Sequence, residues 1–79
     1  MKLFISEGCP QSKRVLDWLQ EINGYEWIQP MDIDNWIAVA EDCGVDLTPA
    51  ASLDSGEIVI GVNSINQELT RYVDECKKG

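Results

Sequence analysis

Hydrophobic and polar positions change their period several times along the chain, and each change predicts an element. Leu3, Phe4 and Ile5 form a short continuous apolar run closed by Ser6-Glu7-Gly8, the pattern of a buried strand entering a turn. The run predicts a first strand over about residues 2 to 6. From Pro10 to Ile22 the apolar residues Val15, Leu16, Leu19 and Ile22 recur at helical spacing, with Lys13, Arg14, Asp17, Gln20 and Glu21 opposite them. That is an amphipathic helix, and Asn23-Gly24 is its stop, because both residues tolerate positive φ. A second strand is predicted through Tyr25, Trp27 and Ile28 toward Met31. Pro30 lacks an amide donor, which confines that strand to a sheet edge. Asp32 or Asp34 is the expected cap of a second helix over Trp36, Val39 and Ala40, stopping near Gly44.

The stretches TPAASL, DSG and EIVIGV then read as strand, turn and strand, with Asp54-Ser55-Gly56 short enough for a hairpin. Ser64-Ile65-Asn66-Gln67 has the capping-box form, and Ile65, Leu69, Tyr72 and Val73 make an apolar stripe along a last helix. The resulting string is βαβαββα. A β-α-β opening with short connections implies two parallel strands, and the later hairpin implies an antiparallel pair. With the Pro30 strand at one edge and the last strand at the other, the order is 2-1-3-4, with helices on both faces. The first strand is then central, and an α/β sheet builds its site at the carboxyl end of such a strand.

Composition narrows the function classes. Seventy-nine residues allow one domain, 1–79, with a thin core. Fourteen acidic residues against six basic ones give a net charge of −8, which repels phosphate backbones and argues against nucleic-acid binding. The N-terminal apolar run is too short for a signal peptide and no stretch approaches a membrane span, so the expectation is a soluble, cytoplasmic monomer. Three widely spaced cysteines, at 9, 43 and 76, and no histidine suit neither a disulfide framework nor a zinc site. No metal is expected, and a reducing compartment is.

Cys9 carries the candidate chemistry. Pro10 favours the first helical position, which makes Cys9 the N-cap, with its sulfur near the free amides of Gln11 and Ser12 at the positive end of the helix dipole. Thiolate is the nucleophilic form, and this environment favours it. Lys13 and Arg14 add positive charge, and the Ser12 hydroxyl is a further donor. By position alone two readings stand side by side: a reactive thiol, or a small residue tolerated at a helix start.

Companion residues move the balance. CPQS at Cys9–Ser12 resembles the C-P-x-S variant of the glutaredoxin C-P-x-C motif, and LTPAASLDSGEIVIG resembles the family's T-P strand, hairpin and glycine. The resemblance covers nearly the whole chain and implies a thioredoxin-like fold. It further implies that Thr48-Pro49 is a cis peptide beside Cys9, with the backbone of Thr48 pairing to the cysteinyl part of glutathione. Gly61, Asn63 and Ser64, at the start of the last helix, match the family's site for the γ-glutamyl carboxylate. On the same ground Pro10, Gln11 and Lys13 join the binding residues, and Cys9 with Ser12 forms the catalytic pair.

The chain departs from that pattern in places. Ser6-Glu7-Gly8 stands where the family carries a lysine or arginine for glutathione's glycine carboxylate, so Glu7 would repel that group. Gly61-Val62 replaces a double glycine, and Gln11 a tyrosine. Ser12 in place of a second cysteine restricts the chain to mixed disulfides resolved by another thiol. Cys43 and Cys76 are read as structural, with Cys43 the alternative resolving thiol. The implied function is monothiol thiol-disulfide exchange and electron transport with glutathione as co-substrate and protein thiols or disulfides as partners. The alternative is a catalytically weak thioredoxin-fold module that binds protein through its acidic surface or the Thr48-Pro49 edge. Cluster carriage of the C-G-F-S type lacks its motif and lysine here, and an arsenate-reductase-like reading lacks the longer second half.

Overall fold

A computed structural model describes residues 1–79. Its four strands are β1 (Lys2–Ile5), β2 (Pro30–Asp32), β3 (Ala50–Ser52) and β4 (Ile58–Ile60), and its three helices α1 (Pro10–Glu21), α2 (Ile37–Cys43) and α3 (Val62–Lys78). The sheet runs β2-β1-β3-β4, with β1 parallel to β2 and the other two pairs antiparallel. This is the mixed α/β sheet of the thioredoxin-like topology, in the expected order.

Alternation along β1 builds two core layers. Successive side chains point to opposite faces of a strand. Leu3 joins Val15, Leu19, Ile28, Ala51, Ile65, Leu69 and Val73 under α1 and α3, whereas Phe4 joins Ala40, Val45 and Ala50 under α2. Helices therefore cover both faces. Each large side chain so buried contributes about 1.5–3 kcal/mol relative to exposure, and the α1–α3 layer holds most of them.

Three local expectations are corrected. The second strand does not run through Tyr25, Trp27 and Ile28. Asn23 turns left-handed at φ 57°, and Gly24–Glu26 forms a 3-10 turn. Trp27 and Ile28 both donate their amides to Gly24 O, which drops Ile28 into the core and leaves Tyr25 exposed. Only Pro30–Asp32 pairs with β1, because β1 itself is four residues long. Pro30 does lie on the edge strand.

Neither Asp32 nor Asp34 caps α2. Asp32 Oδ1 instead accepts the Asp34 amide at 3.0 Å, an Asx turn, and Trp36 is the N-cap with no side-chain hydrogen bond. The capping box at Ser64 does not form either. Gly61 is the N-cap of α3, Ile65 donates its amide to Gly61 O at 2.9 Å, and Val62 packs against the core. That packing starts the helix three residues early and leaves Ser64 inside its first turn.

Candidate functional site

Cys9 stands where the central strand ends. β1 finishes at Ile5, and a four-residue turn closed by the Cys9 amide on Ser6 O at 3.2 Å delivers the chain to α1. Gly8 makes this possible: its φ of 80° is strained for any L side chain. Cys9 is then the N-cap of α1, extended at φ −85° and ψ 119°, with Pro10 at the first helical position. The expected geometry is present.

Its electrostatics follow from that place. The Cys9 pKa is lowered, first by the Ser12 backbone amide and then by the Ser12 hydroxyl; desolvation opposes them less strongly, and the Gln11 amide adds the smallest lowering. The cap has no side-chain hydrogen bond of standard geometry, so these amides act on the sulfur as the partial charges of an unpaired helix end. Gln11 contributes through its backbone, and its side chain is exposed.

Ser12 has a second task that the sequence does not advertise. It is 1% exposed, and its Oγ accepts the Ser6 amide at 3.1 Å. The hydroxyl oxygen ties the turn to the helix while its proton remains free to serve the sulfur. A serine here does both because one hydroxyl is acceptor and donor at once.

A cavity of about 540 Å³ opens at Cys9, with Pro10, Ser12 and Lys13 in its wall, alongside Glu7, Leu16 and Asp32. Four residues of the sequence-derived site thus come together. Asp32 was missed as a site residue, because its position before a helix suggested a cap. The signal available was topological: β2 is parallel to β1, and Ile5 pairs with Asp32, so the two strands end side by side.

Thr48, Pro49 and Gly61 reach the same end of the sheet without lining that cavity. Phe4 pairs with Ala50 in antiparallel register, and continuing it sets Pro49 across from Ile5 and Thr48 across from Ser6. The Thr48-Pro49 peptide is cis, as the glutaredoxin resemblance implies, and Pro49 is fully buried. Ala50 also pairs with Ile60, which carries Gly61 and the α3 N-terminus to this end. Asn63 lines a different groove, of about 670 Å³, beside Trp18, Asn66 and Thr70. Ser64 is exposed and lines neither.

All three cysteines are free. Cys43 ends α2 and packs against the Phe4 layer. Cys76 lies one turn from Tyr72, whose pKa is raised by burial first and then by Cys76. Neither belongs to the Cys9 cavity. No three His, Cys, Asp or Glu side chains converge as a metal site, and no helix is long and apolar enough to cross a membrane. No protein-family model matches the chain, and no curated protein matches it.

Proposed function

We propose that the protein is a glutaredoxin-like thiol-disulfide oxidoreductase that works through Cys9 alone. One observation carries this reading: a partly exposed thiol at the N-cap of a helix, acidified by the amide and hydroxyl of Ser12, opens on a cavity at the carboxyl end of the central strand. Structural cysteines have no need of that arrangement, whereas nucleophilic ones do.

In the proposed step the Cys9 thiolate attacks one sulfur of a disulfide. A Cys9–S–S–R bond forms, the substrate S–S bond breaks, and the departing thiolate takes a proton from solvent. Ser12 offers no second sulfur, so a second molecule of thiol attacks the mixed disulfide, leaves with its partner as a new disulfide, and returns Cys9 to thiolate. Glutathione is the thiol that the family resemblance supplies for this release, with Thr48 and the α3 N-terminus as its binding groups. Such a cycle belongs to a reducing, cytoplasmic setting, and a monomer suffices for it.

Incubation with a glutathionylated peptide, followed by mass spectrometry, tests the reading. The expected product is a glutathionyl adduct on Cys9, removed by added glutathione and absent from Cys9→Ser. An adduct distributed equally over Cys9, Cys43 and Cys76 would refute it. A second reading, a non-catalytic protein-binding module, is favoured by the exposed Trp36, Ile37 and Leu47, at the N-cap of α2, in its first turn and in the segment that follows it. It would gain if Cys9 proved inert.

A further inference from the structure

The wall of the Cys9 cavity carries two carboxylates, Glu7 and Asp32, against one ammonium, Lys13. Neither carboxylate is neutralised within the chain. The ion pairs join the N-terminal ammonium to Asp54, Arg71 to Glu68, and Lys78 to Asp74, all away from this cavity. Asp32 spends one oxygen on the Asp34 amide, a contact that leaves its charge in place. The whole molecule, these three groups included, carries a net −8, so the local and the global field have the same sign. An anionic disulfide approaching Cys9 meets repulsion at both ranges, and a cationic one meets attraction.

We infer that the preferred substrates of this cavity are low-molecular-weight disulfides bearing a primary ammonium near the sulfur, held by Glu7 and Asp32 while Cys9 attacks. The inference rests on the proposal that Cys9 is the exchanging thiol and names the substrate class for it. A volume of about 540 Å³ lies in the range of small-molecule sites, and flanking carboxylates on the two sides of one strand end, from the β1–α1 turn and from β2, are placed to receive an ammonium. In the covalent step the thiolate of Cys9 displaces one aminothiolate from the disulfide and keeps the other as a mixed disulfide. The displaced thiolate takes up a proton from solvent, and no further oxidant or reductant is consumed. Lys13, on the opposite charge balance, tempers the preference without reversing it.

The test compares three disulfides of similar size on the full chain: cystamine (cationic), hydroxyethyl disulfide (neutral) and dithiodiglycolate (anionic). The rate of Cys9 adduct formation is followed by mass spectrometry, and each rate is divided by that of the same disulfide with 1-thioglycerol, a neutral thiol that none of the three contains, which removes intrinsic reactivity. The normalised rates are expected to fall from cationic to neutral to anionic, by roughly fivefold or more per step at low salt, and to converge at about 0.5 M salt. In the variant combining Glu7→Gln and Asp32→Asn the cationic-to-anionic ratio should shrink by about tenfold. Asparagine keeps the oxygen that accepts the Asp34 amide, so the fold has no reason to fail, and circular dichroism of the variant checks this. A ratio indifferent to the double substitution, or an anionic disulfide that reacts fastest, overturns the inference while leaving Cys9 a nucleophile. Failure of all three disulfides to label Cys9 overturns the nucleophile reading and this inference with it.

Discussion

One hydroxyl does more for Cys9 than its own helix position announces. The Ser12 oxygen accepts the Ser6 amide, and the Ser12 amide and hydroxyl are the two largest causes of the lowered Cys9 pKa. Ser12→Ala keeps the amide and removes the hydroxyl. It should raise the Cys9 pKa part of the way back to an ordinary thiol, read from thiolate absorbance against pH, and cost about 1 kcal/mol of stability by leaving the Ser6 amide unpaired. A stability loss without any pKa change would show that the hydroxyl serves the turn alone. The Cys9 linkage has a definite sign. A group whose pKa is depressed by folding contributes stability above its unfolded value, and that contribution is lost as pH falls through the folded value. Relative to Cys9→Ala, the native chain should therefore gain stability as pH rises across the interval between the two, measured by urea midpoints. The position of Cys9 was legible from Pro10 and the apolar pattern, because capping depends on neighbours in sequence. The tether from Ser12 to Ser6 was not, because nothing in CPQS says where the turn's amides point.

At the level of elements, the first strand, the first helix and the hairpin follow from local rules. The failures lie where packing overrides them. Tyr25-Glu26-Trp27-Ile28 has strand-like composition, yet Gly24 lies so close to Leu19 that a Cβ there would overlap Leu19 Cδ1 and stand 3.2 Å from Val73 Cγ2. That close approach bends the chain into a 3-10 turn instead of a longer strand. Gly24→Ala should accordingly destabilise the protein by about 1–3 kcal/mol, the range for overpacking a filled core, seen as a lower urea midpoint at unchanged slope. An unchanged midpoint would mean that α1 and the 3-10 turn separate without cost. The Ser64 box failed for a related reason: Val62 finds apolar neighbours, and burying it draws the helix start forward. The site suffered less from these errors, since Asn63 and Ser64 stay within the first turn of α3, at the sheet end that holds Cys9.

Over the whole molecule, two thin core layers and a charge of −8 oppose each other. Self-repulsion should be relieved by salt, so moderate sodium chloride should raise the melting temperature by several degrees, at about 4–8 °C per kcal/mol for a domain of this size. A fall in melting temperature with salt would point to ion pairs outweighing repulsion. The fold was legible because the edge proline, the short β-α-β crossover and the hairpin leave few ways to order four strands. The charge lining the Cys9 cavity was legible only in half: Glu7 is adjacent to Cys9 in sequence, whereas Asp32 arrives through strand pairing. The molecule also contains its own control, since Cys43 and Cys76 are free thiols outside the cavity. The most direct measurement is the alkylation rate of all three cysteines in one sample across pH, resolved by peptide mass spectrometry. The account predicts that Cys9 reacts fastest at neutral pH, with a half-point below that of an ordinary thiol. A Cys9 half-point at or above the ordinary value, or a rate no greater than that of Cys43 and Cys76, would contradict it.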